Sequence, residues 1–164
     1  MSTLCSSQYK DLIIKLCYRH VSTRFGDALI TASEIGNSTI VGILLKRGAD
    51  VNAQVNREDN GDLTALCVAS RHGKDDIVKL LLYKGADLNA QDDKGGNALC
   101  ATLAGGSRDT VRLLLENGAR VNTSGEGNAL QVALKKGWED IAQLLVEYGS
   151  NPFEELNESA DIGK

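Results

Sequence analysis

The chain has 164 residues and a formal net charge of -4 at pH 7, which is the size of one ordinary domain with a mildly acidic balance. Hydrophobic residues make up 42% of it and charged residues 24%, so the composition is too apolar for a disordered chain. Because there is no run of Lys or Arg, the chain lacks the basic face that neutralises a phosphate backbone, and nucleic acid is only a minor hypothesis as a partner.

The sequence predicts neither a signal peptide nor a membrane span. Lys10 and Asp11 interrupt the place where the apolar core of a signal peptide would lie. No stretch reaches the roughly 18 consecutive apolar residues of a membrane-spanning helix. The cysteines match neither a CxxC metal pair nor a dense disulfide framework: Cys5, Cys17, Cys67 and Cys100. We therefore expect a cytoplasmic or nuclear chain with reduced cysteines and no contact with a membrane.

The first predicted element is a helix over residues 9–21, YKDLIIKLCYRHV. At helical spacing, one face of it carries Leu12, Ile13, Leu16, Cys17 and His20. The stretch IIKLC at 13–17 resembles IVKLL at 77–81 later in the chain. Residues 1–24 are therefore interpreted either as a segment with a capping helix or as a degenerate half repeat.

A unit of constant length recurs four times along the rest of the chain. Each unit opens with Asp, Thr or Asn and closes with a glycine 21 residues later, over 27–48, 64–85, 97–118 and 128–149. The connections between units shorten from 16 to 12 to 10 residues. Because only the connections vary in length, they are predicted to be surface loops, and the units are predicted to stack as a repeat array.

Each unit has the pattern of a helix, a turn and a second helix. The opening residues have side chains that cap a helix start: Asp27, Thr64, Asn97 and Asn128. Glycines are predicted to end each first helix: Gly36, Gly73, Gly106 and Gly137. Acidic residues such as Asp75 open the second helix and basic residues such as Lys84 end it, as the helix dipole favours. The polar stretches that follow, such as GADVNAQ at 48–54, are predicted to be protruding loops or short hairpins.

Three segments carry a recognisable pattern: GADVNAQ at 48–54, IVKLLLYKGADLNAQ at 77–91 and VRLLLENGARVN at 111–122. They resemble the ankyrin repeat, and the Asn-Ala-Leu openings at Asn97 and Asn128 resemble ankyrin arrays of fungal proteins. The resemblance implies an all-α ankyrin-repeat solenoid of about four helix-turn-helix repeats, with short hairpin loops and an N-terminal capping helix.

The domain layout follows from the same resemblance. The repeat domain is expected at residues 25–153, after the N-terminal segment and before a flexible acidic tail at 154–164. Within the domain, the repeats are expected at about 27–60, 61–93, 94–124 and 125–153.

The residue patterns predict no catalytic, metal or cofactor site. Cys67 and Cys100 share one repeat position, but adjacent helices pack about 8–10 Å apart, whereas a disulfide needs α-carbons within roughly 7 Å. A nucleophilic pair of Cys67 with His72 would point in directions about 140° apart on a helix. His20 and His72 have no partners at the spacing of zinc ligands. We therefore expect no cofactor.

The resemblance also implies where a partner binds. In ankyrin arrays, partners usually contact the hairpin tips and the two residues before the glycine that ends each first helix. The long first connection is expected to form an extended finger over residues 55–62 on the same side. Trp138, the only Trp, is either an exposed anchor or a residue packed over the last repeat. The predicted partner-binding residues are Arg57, Glu58, Asp59, Asn60, Asp62, Leu63, Arg71, His72, Asp93, Lys94, Lys135, Lys136 and Trp138.

The function implied by the resemblance is non-catalytic protein-protein interaction. The chain would be an adaptor, scaffold or small inhibitor that binds a protein partner in the groove of hairpin tips and first helices. The alternative is an enzyme or small-ligand-binding protein, which would need a deep pocket with convergent polar groups in that groove. Self-association through the terminal repeat is a further hypothesis, if Ile141, Leu144 and Leu145 form an uncovered edge.

Overall fold

A computed structural model describes the chain over residues 24–57, 61–91, 96–105, 107–121 and 129–149. The predicted N-terminal helix at 9–21 and the acidic tail at 154–164 lie outside these described residues. In the described ranges, no helix has the length and apolar character needed to cross a membrane. The elements are α1 (24–35), α2 (Ser38–Lys46), β1 (Val55–Arg57), β2 (Gly61–Leu63), α3 (Ala65–Arg71), α4 (Asp75–Tyr83), α5 (Ala98–Gly105), α6 (Arg108–Glu116), α7 (Ala129–Lys135) and α8 (Glu139–Glu147).

The helices form consecutive pairs, and equivalent helices of neighbouring pairs pack side by side. α3 packs against α5 and α5 against α7, while α2, α4, α6 and α8 pack in that order. Within a pair the two helices also contact each other, as α3 does with α4 and α7 with α8. The chain is therefore a stack of helix pairs in two layers, and the predicted all-α solenoid of about four helix-turn-helix repeats is confirmed.

The predicted caps of the first helices are confirmed at two of the four positions. The Thr64 hydroxyl and the Asn97 side chain each accept a hydrogen bond from the amide three residues further on, at 3.2 and 3.0 Å. Asp27 lies inside α1, because residues 24–26 are already helical, so its prediction as a cap was wrong. Asn128 lies outside the described residues.

The acidic starts predicted for the second helices are confirmed in three of them, whereas only α2 has a basic residue, Lys46, in its last turn. Acidic side chains occupy the first turns of α4, α6 and α8, where the positive end of the helix dipole stabilises them. α2 and α6 also have N-terminal caps that the sequence analysis did not predict. The Asn37 and Ser107 side chains each accept a hydrogen bond from a backbone amide three residues further on. Glycines with a positive φ, between 59° and 101°, end helices of both layers: Gly36, Gly48, Gly73, Gly85, Gly118, Gly137 and Gly149. Each chain reversal is therefore specified locally.

The core lies between the two helix layers and between successive repeats. Position by position, the first helices bury the same apolar residue: Leu29, Leu66, Leu99 and Leu130. Ile141, Leu144 and Leu145 are buried too, because α8 packs against α6 and α7. The condition for the self-association hypothesis, an uncovered edge at these three residues, is therefore not met. In α7 and α8 the exposed large apolar side chains are instead Leu134 and Val146, and Tyr148 follows them.

The first connection forms a hairpin where the extended finger was predicted. β1 and β2 pair in antiparallel register, with Val55 opposite Leu63 and Arg57 opposite Gly61. Residues 58–60, at the tip between the strands, lie outside the described residues.

Asparagines in the loops join successive repeats. Asn52 accepts a hydrogen bond from the Asp87 amide at 2.7 Å and donates one to the Gly85 carbonyl at 3.4 Å. One repeat further on, Asn89 accepts from the Arg120 amide at 2.9 Å. The Asp two residues before each of these asparagines accepts from the asparagine's own amide, at 2.9 Å. The recurring Gly-Ala-Asp-x-Asn sequence therefore both shapes a turn and links it to the next repeat.

Candidate functional site

The ends of the first helices supply the central part of the predicted binding site. We define the groove row as the two residues before each glycine that the sequence predicts to end a first helix: Glu34, Ile35, Arg71, His72, Ala104, Gly105, Lys135 and Lys136. Because α3, α5 and α7 pack side by side, equivalent residues follow one another across the array. Arg71 is half-buried and the other seven residues are exposed, with Ile35 exposed to 72%. The groove row thus offers both charged and apolar side chains to solvent.

Arg71 lies at a close approach of α3 and α5 in the groove row. A Cβ at Gly105 would overlap the Arg71 carbonyl oxygen, so the two helices could not pack this closely with a larger residue there. The Arg71 Nε is covered and has no hydrogen-bond partner in the part of the chain that the structure describes. Glycine at 105 therefore allows the backbones of α3 and α5 to lie close together at this point.

The two lysine side chains of the groove row differ in their contacts with the rest of the chain. The Lys136 ammonium donates to the Leu103 carbonyl of the preceding repeat at 3.0 Å and lies 4.5 Å from the centre of the Trp138 ring. Trp138 is half-buried and packs against the core at the start of α8. Lys135 makes no such contact within the described ranges. Lys136 and Trp138 thus join the last two repeats, whereas Lys135 has its charge available.

The remaining predicted site residues lie on the connections between repeats. Arg57 is the last residue of β1, and Asp62 and Leu63 belong to β2. Outside the described residues lie Glu58, Asp59, Asn60, Asp93 and Lys94. The contribution of these residues to binding stays a prediction.

One polar link between repeats had no signal in the sequence. The Thr110 hydroxyl in α6 donates a hydrogen bond to the Asp75 carboxylate in α4 at 2.5 Å. The Ser107 hydroxyl lies 2.9 Å from the Thr110 hydroxyl. The equivalent positions in α4 and α8 are Ile77 and Ile141, so the repeat pattern predicts an apolar residue at 110. Only the packing of α4 against α6 brings the hydroxyl to the carboxylate.

The described surface offers open depressions at helix ends. One of about 390 Å³ is lined by Arg108 and residues 137–141, and another of about 360 Å³ by Gly36, Ser38 and residues 73–77. These depressions are open to solvent and do not enclose a ligand.

The side chains considered for chemistry do not come together as a site. Cys67 is buried within α3 and His72 is exposed just after it, so the two do not form a pair. Cys67 and Cys100 are thiols and not halves of a disulfide. Across the described ranges, no three side chains of His, Cys, Asp or Glu lie together as metal ligands.

Comparison with known proteins gives a family match. A family model described as "Ankyrin repeats (3 copies)" matches residues 3–92 and 90–155. The two matches together include all of the described helices and the hairpin. No curated protein matches the chain.

Proposed function

Because the chain belongs to the ankyrin-repeat family, whose repeats are protein-protein interaction modules, we propose that it is a non-catalytic adaptor, scaffold or small inhibitor. Its protein partner binds along the groove row, with the hairpin of β1 and β2 beside it. The observation that carries this proposal is the set of polar groove-row side chains whose hydrogen-bonding groups the described part of the fold does not use: Arg71, His72 and Lys135.

The polar groups of these side chains contribute little to the stability of the fold. Within the described ranges, the side chains of Arg71, His72 and Lys135 make no hydrogen bond or ion pair. Even exposed charges that are paired contribute only about 0–1 kcal/mol to stability, so unpaired ones are kept at little benefit to the fold. Ile35 adds an exposed apolar side chain to the same row. Charged side chains give selectivity to an interface and desolvated apolar ones give affinity.

The shape of the molecule supports recognition without catalysis. α3 and α5 pack against neighbouring first helices and their own second helices, so the groove row is formed before a partner arrives. A preformed interface binds with little change of the backbone. The two depressions at the helix ends are open to solvent, unlike the deep pockets with convergent polar groups that are typical of small-ligand sites. We also propose a cytoplasmic or nuclear location, which the Cys67 and Cys100 thiols support.

The test compares the tagged native chain with two variants on a lysate of the source organism. The site variant is Arg71→Ala/His72→Ala/Lys135→Ala, which leaves Lys136 in place because that lysine holds the last two repeats together. The control variant is Lys79→Ala/Arg112→Ala, which removes the same two full charges from exposed positions of the second helices. Mass spectrometry identifies the retained proteins and the retained small molecules.

The expected result is a protein retained by the native chain and by the control variant but not by the site variant. Circular dichroism of all three proteins checks that the helices are intact. A small molecule retained without any protein would contradict the proposal and favour the enzyme or ligand-binding alternative. Equal retention of the protein by the site variant would show that the groove row is not the binding surface.

A further inference from the structure

We propose that the groove row binds an extended, acidic segment of the partner. An apolar side chain of that segment contacts Ile35, and two of its carboxylates contact Arg71 and Lys135. This inference rests on the proposed function and specifies the chemistry of its partner. It follows from three properties of the groove row: its charge, the bare surface at its centre, and the spacing of the helices that carry it.

The charge of the groove row is opposite to that of the whole chain. The chain has a net charge of -4, whereas the groove row contains Arg71, Lys135 and Lys136 against Glu34. The Lys136 ammonium already has the Leu103 carbonyl and the Trp138 ring as neighbours. Arg71 and Lys135 therefore remain as the cations that a partner can meet, and complementary charge selects an acidic partner.

The surface between these two cations has almost no side chains. Ala104 and Gly105 lie there, both exposed, and Gly105 cannot carry a Cβ without overlapping the Arg71 carbonyl oxygen. A peptide backbone can therefore approach the array closely between Arg71 and Lys135. A longer side chain at the exposed position 104 would hold a partner segment away from the helices.

The spacing of the helices sets the spacing of the partner's side chains. Neighbouring helices pack about 8–10 Å apart, so Arg71 on α3 and Lys135 on α7 are roughly 16–20 Å apart across α5. An extended chain advances about 3.3–3.6 Å per residue, so the two acidic residues should be about five or six positions apart. Ile35 precedes Arg71 by one repeat, so the apolar residue should lie about three positions from the first acidic residue.

The test uses a displayed library of random 14-residue peptides, selected on the full native chain. The enriched peptides are sequenced without counter-selection, and each is then compared on the native chain and on the Arg71→Gln/Lys135→Gln variant. The Lys79→Gln/Arg112→Gln variant is the charge-matched control, because it loses two cations from exposed positions of the second helices. Chemical synthesis of the enriched peptides then allows their affinities to be measured by fluorescence polarisation at low and high salt.

The expected result is enrichment of peptides with two acidic residues five or six positions apart. Their affinity should fall roughly tenfold or more with Arg71→Gln/Lys135→Gln, because a hydrogen bond to a charged group contributes about that much, and should change little in the control variant. It should also fall as salt screens the charges.

Three outcomes would overturn the inference in different ways. Enriched peptides that contact the groove row but lack the acidic pattern would reject the acidic segment and leave the proposed function in place. Enriched acidic peptides that bind the two variants equally would reject the groove row as their site, and with it the proposed function. Preferential binding of a single-stranded oligonucleotide over the acidic peptides would also overturn the inference, because a phosphate chain would then be the better ligand.

Discussion

At the scale of single residues, two serines at equivalent positions of the first helices differ by one hydrogen bond. The Ser33 hydroxyl donates to the Leu29 carbonyl at 2.8 Å. The Ser70 hydroxyl has no partner in the described part of the chain, and both residues are fully buried. A buried polar group without a partner costs about 1–3 kcal/mol, so Ser70 is a weak point of the core.

We expect Ser70→Ala to raise the free energy of unfolding by about 1 kcal/mol, because it removes the unpaired hydroxyl. Ser33→Ala is the matched control, since it gains the same helix propensity but loses a hydrogen bond. Urea unfolding of the native chain and both variants measures the difference. Equal shifts in the two variants would contradict the assignment of Ser70 as unpaired.

Two helical glycines differ in the space around them. Gly105→Ala should lower the free energy of unfolding by about 1–3 kcal/mol, because its Cβ would overlap the Arg71 carbonyl oxygen and push α3 and α5 apart. Gly42→Ala, in α2, should raise it by about 0.5–1 kcal/mol, because nothing lies within 4 Å of the added Cβ. Thermal unfolding of both variants tests this pair. A neutral Gly105→Ala would mean that the helices can separate at no cost.

At the scale of elements, stability depends on how one repeat holds the next. The Asn52 side chain reaches two backbone groups of the following repeat, and Thr110 in α6 reaches Asp75 in α4. In a repeat array each unit contacts only its neighbours, so such links connect otherwise separate units. Losing one link should weaken the coupling between repeats as well as the local turn.

We expect Asn52→Ala to lower the free energy of unfolding by about 1–2 kcal/mol, from two lost hydrogen bonds, and to broaden the unfolding transition. Asn117→Ala is the control, because the Asn117 amide donates to Leu113 within its own repeat. That variant should change stability without a change in the slope of the urea transition. A steep transition in Asn52→Ala would show that the loop asparagines do not couple the repeats.

At the scale of the whole molecule, burial depends on position along the array. Leu103 and Leu134 occupy the same position of their repeats, yet Leu103 is exposed to 2% and Leu134 to 60%. At the other end, Ile40 is exposed to 46% and its equivalent Ile77 to 1%. Each repeat covers the next, so the same residue is a core residue in the middle and a surface residue at an end.

Leu103→Ala is therefore expected to lower the free energy of unfolding by about 2–5 kcal/mol, as for other large cavities in a core. Leu134→Ala should change it by less than about 0.5 kcal/mol, because its side chain is mostly in water. Calorimetry of the two variants measures the contrast. A large loss in Leu134→Ala would mean that other parts of the chain cover this end in solution.

Much of the fold was predictable because it depends on contacts within a few residues. The constant unit, the caps at Thr64 and Asn97 and the helix-ending glycines follow from hydrogen bonds and backbone angles in single turns. Asp27 was predicted wrongly for the same reason: its side chain suits a cap, but residues before it extend the helix. The sequence left open whether Ile141, Leu144 and Leu145 form an uncovered edge, because their burial depends on the neighbouring helices.

The sequence by itself determined the repeat, its length and its helix-turn-helix pattern, and it predicted the members of the candidate site. Only the tertiary structure decided which members are available to a partner. Lys135 and Lys136 are adjacent and chemically identical, yet Lys136 is held by a carbonyl 33 residues earlier and by the Trp138 ring, and Lys135 is not. The physical reason is that a partner's access to a side chain depends on what the next repeat places against it, and no local pattern contains that information.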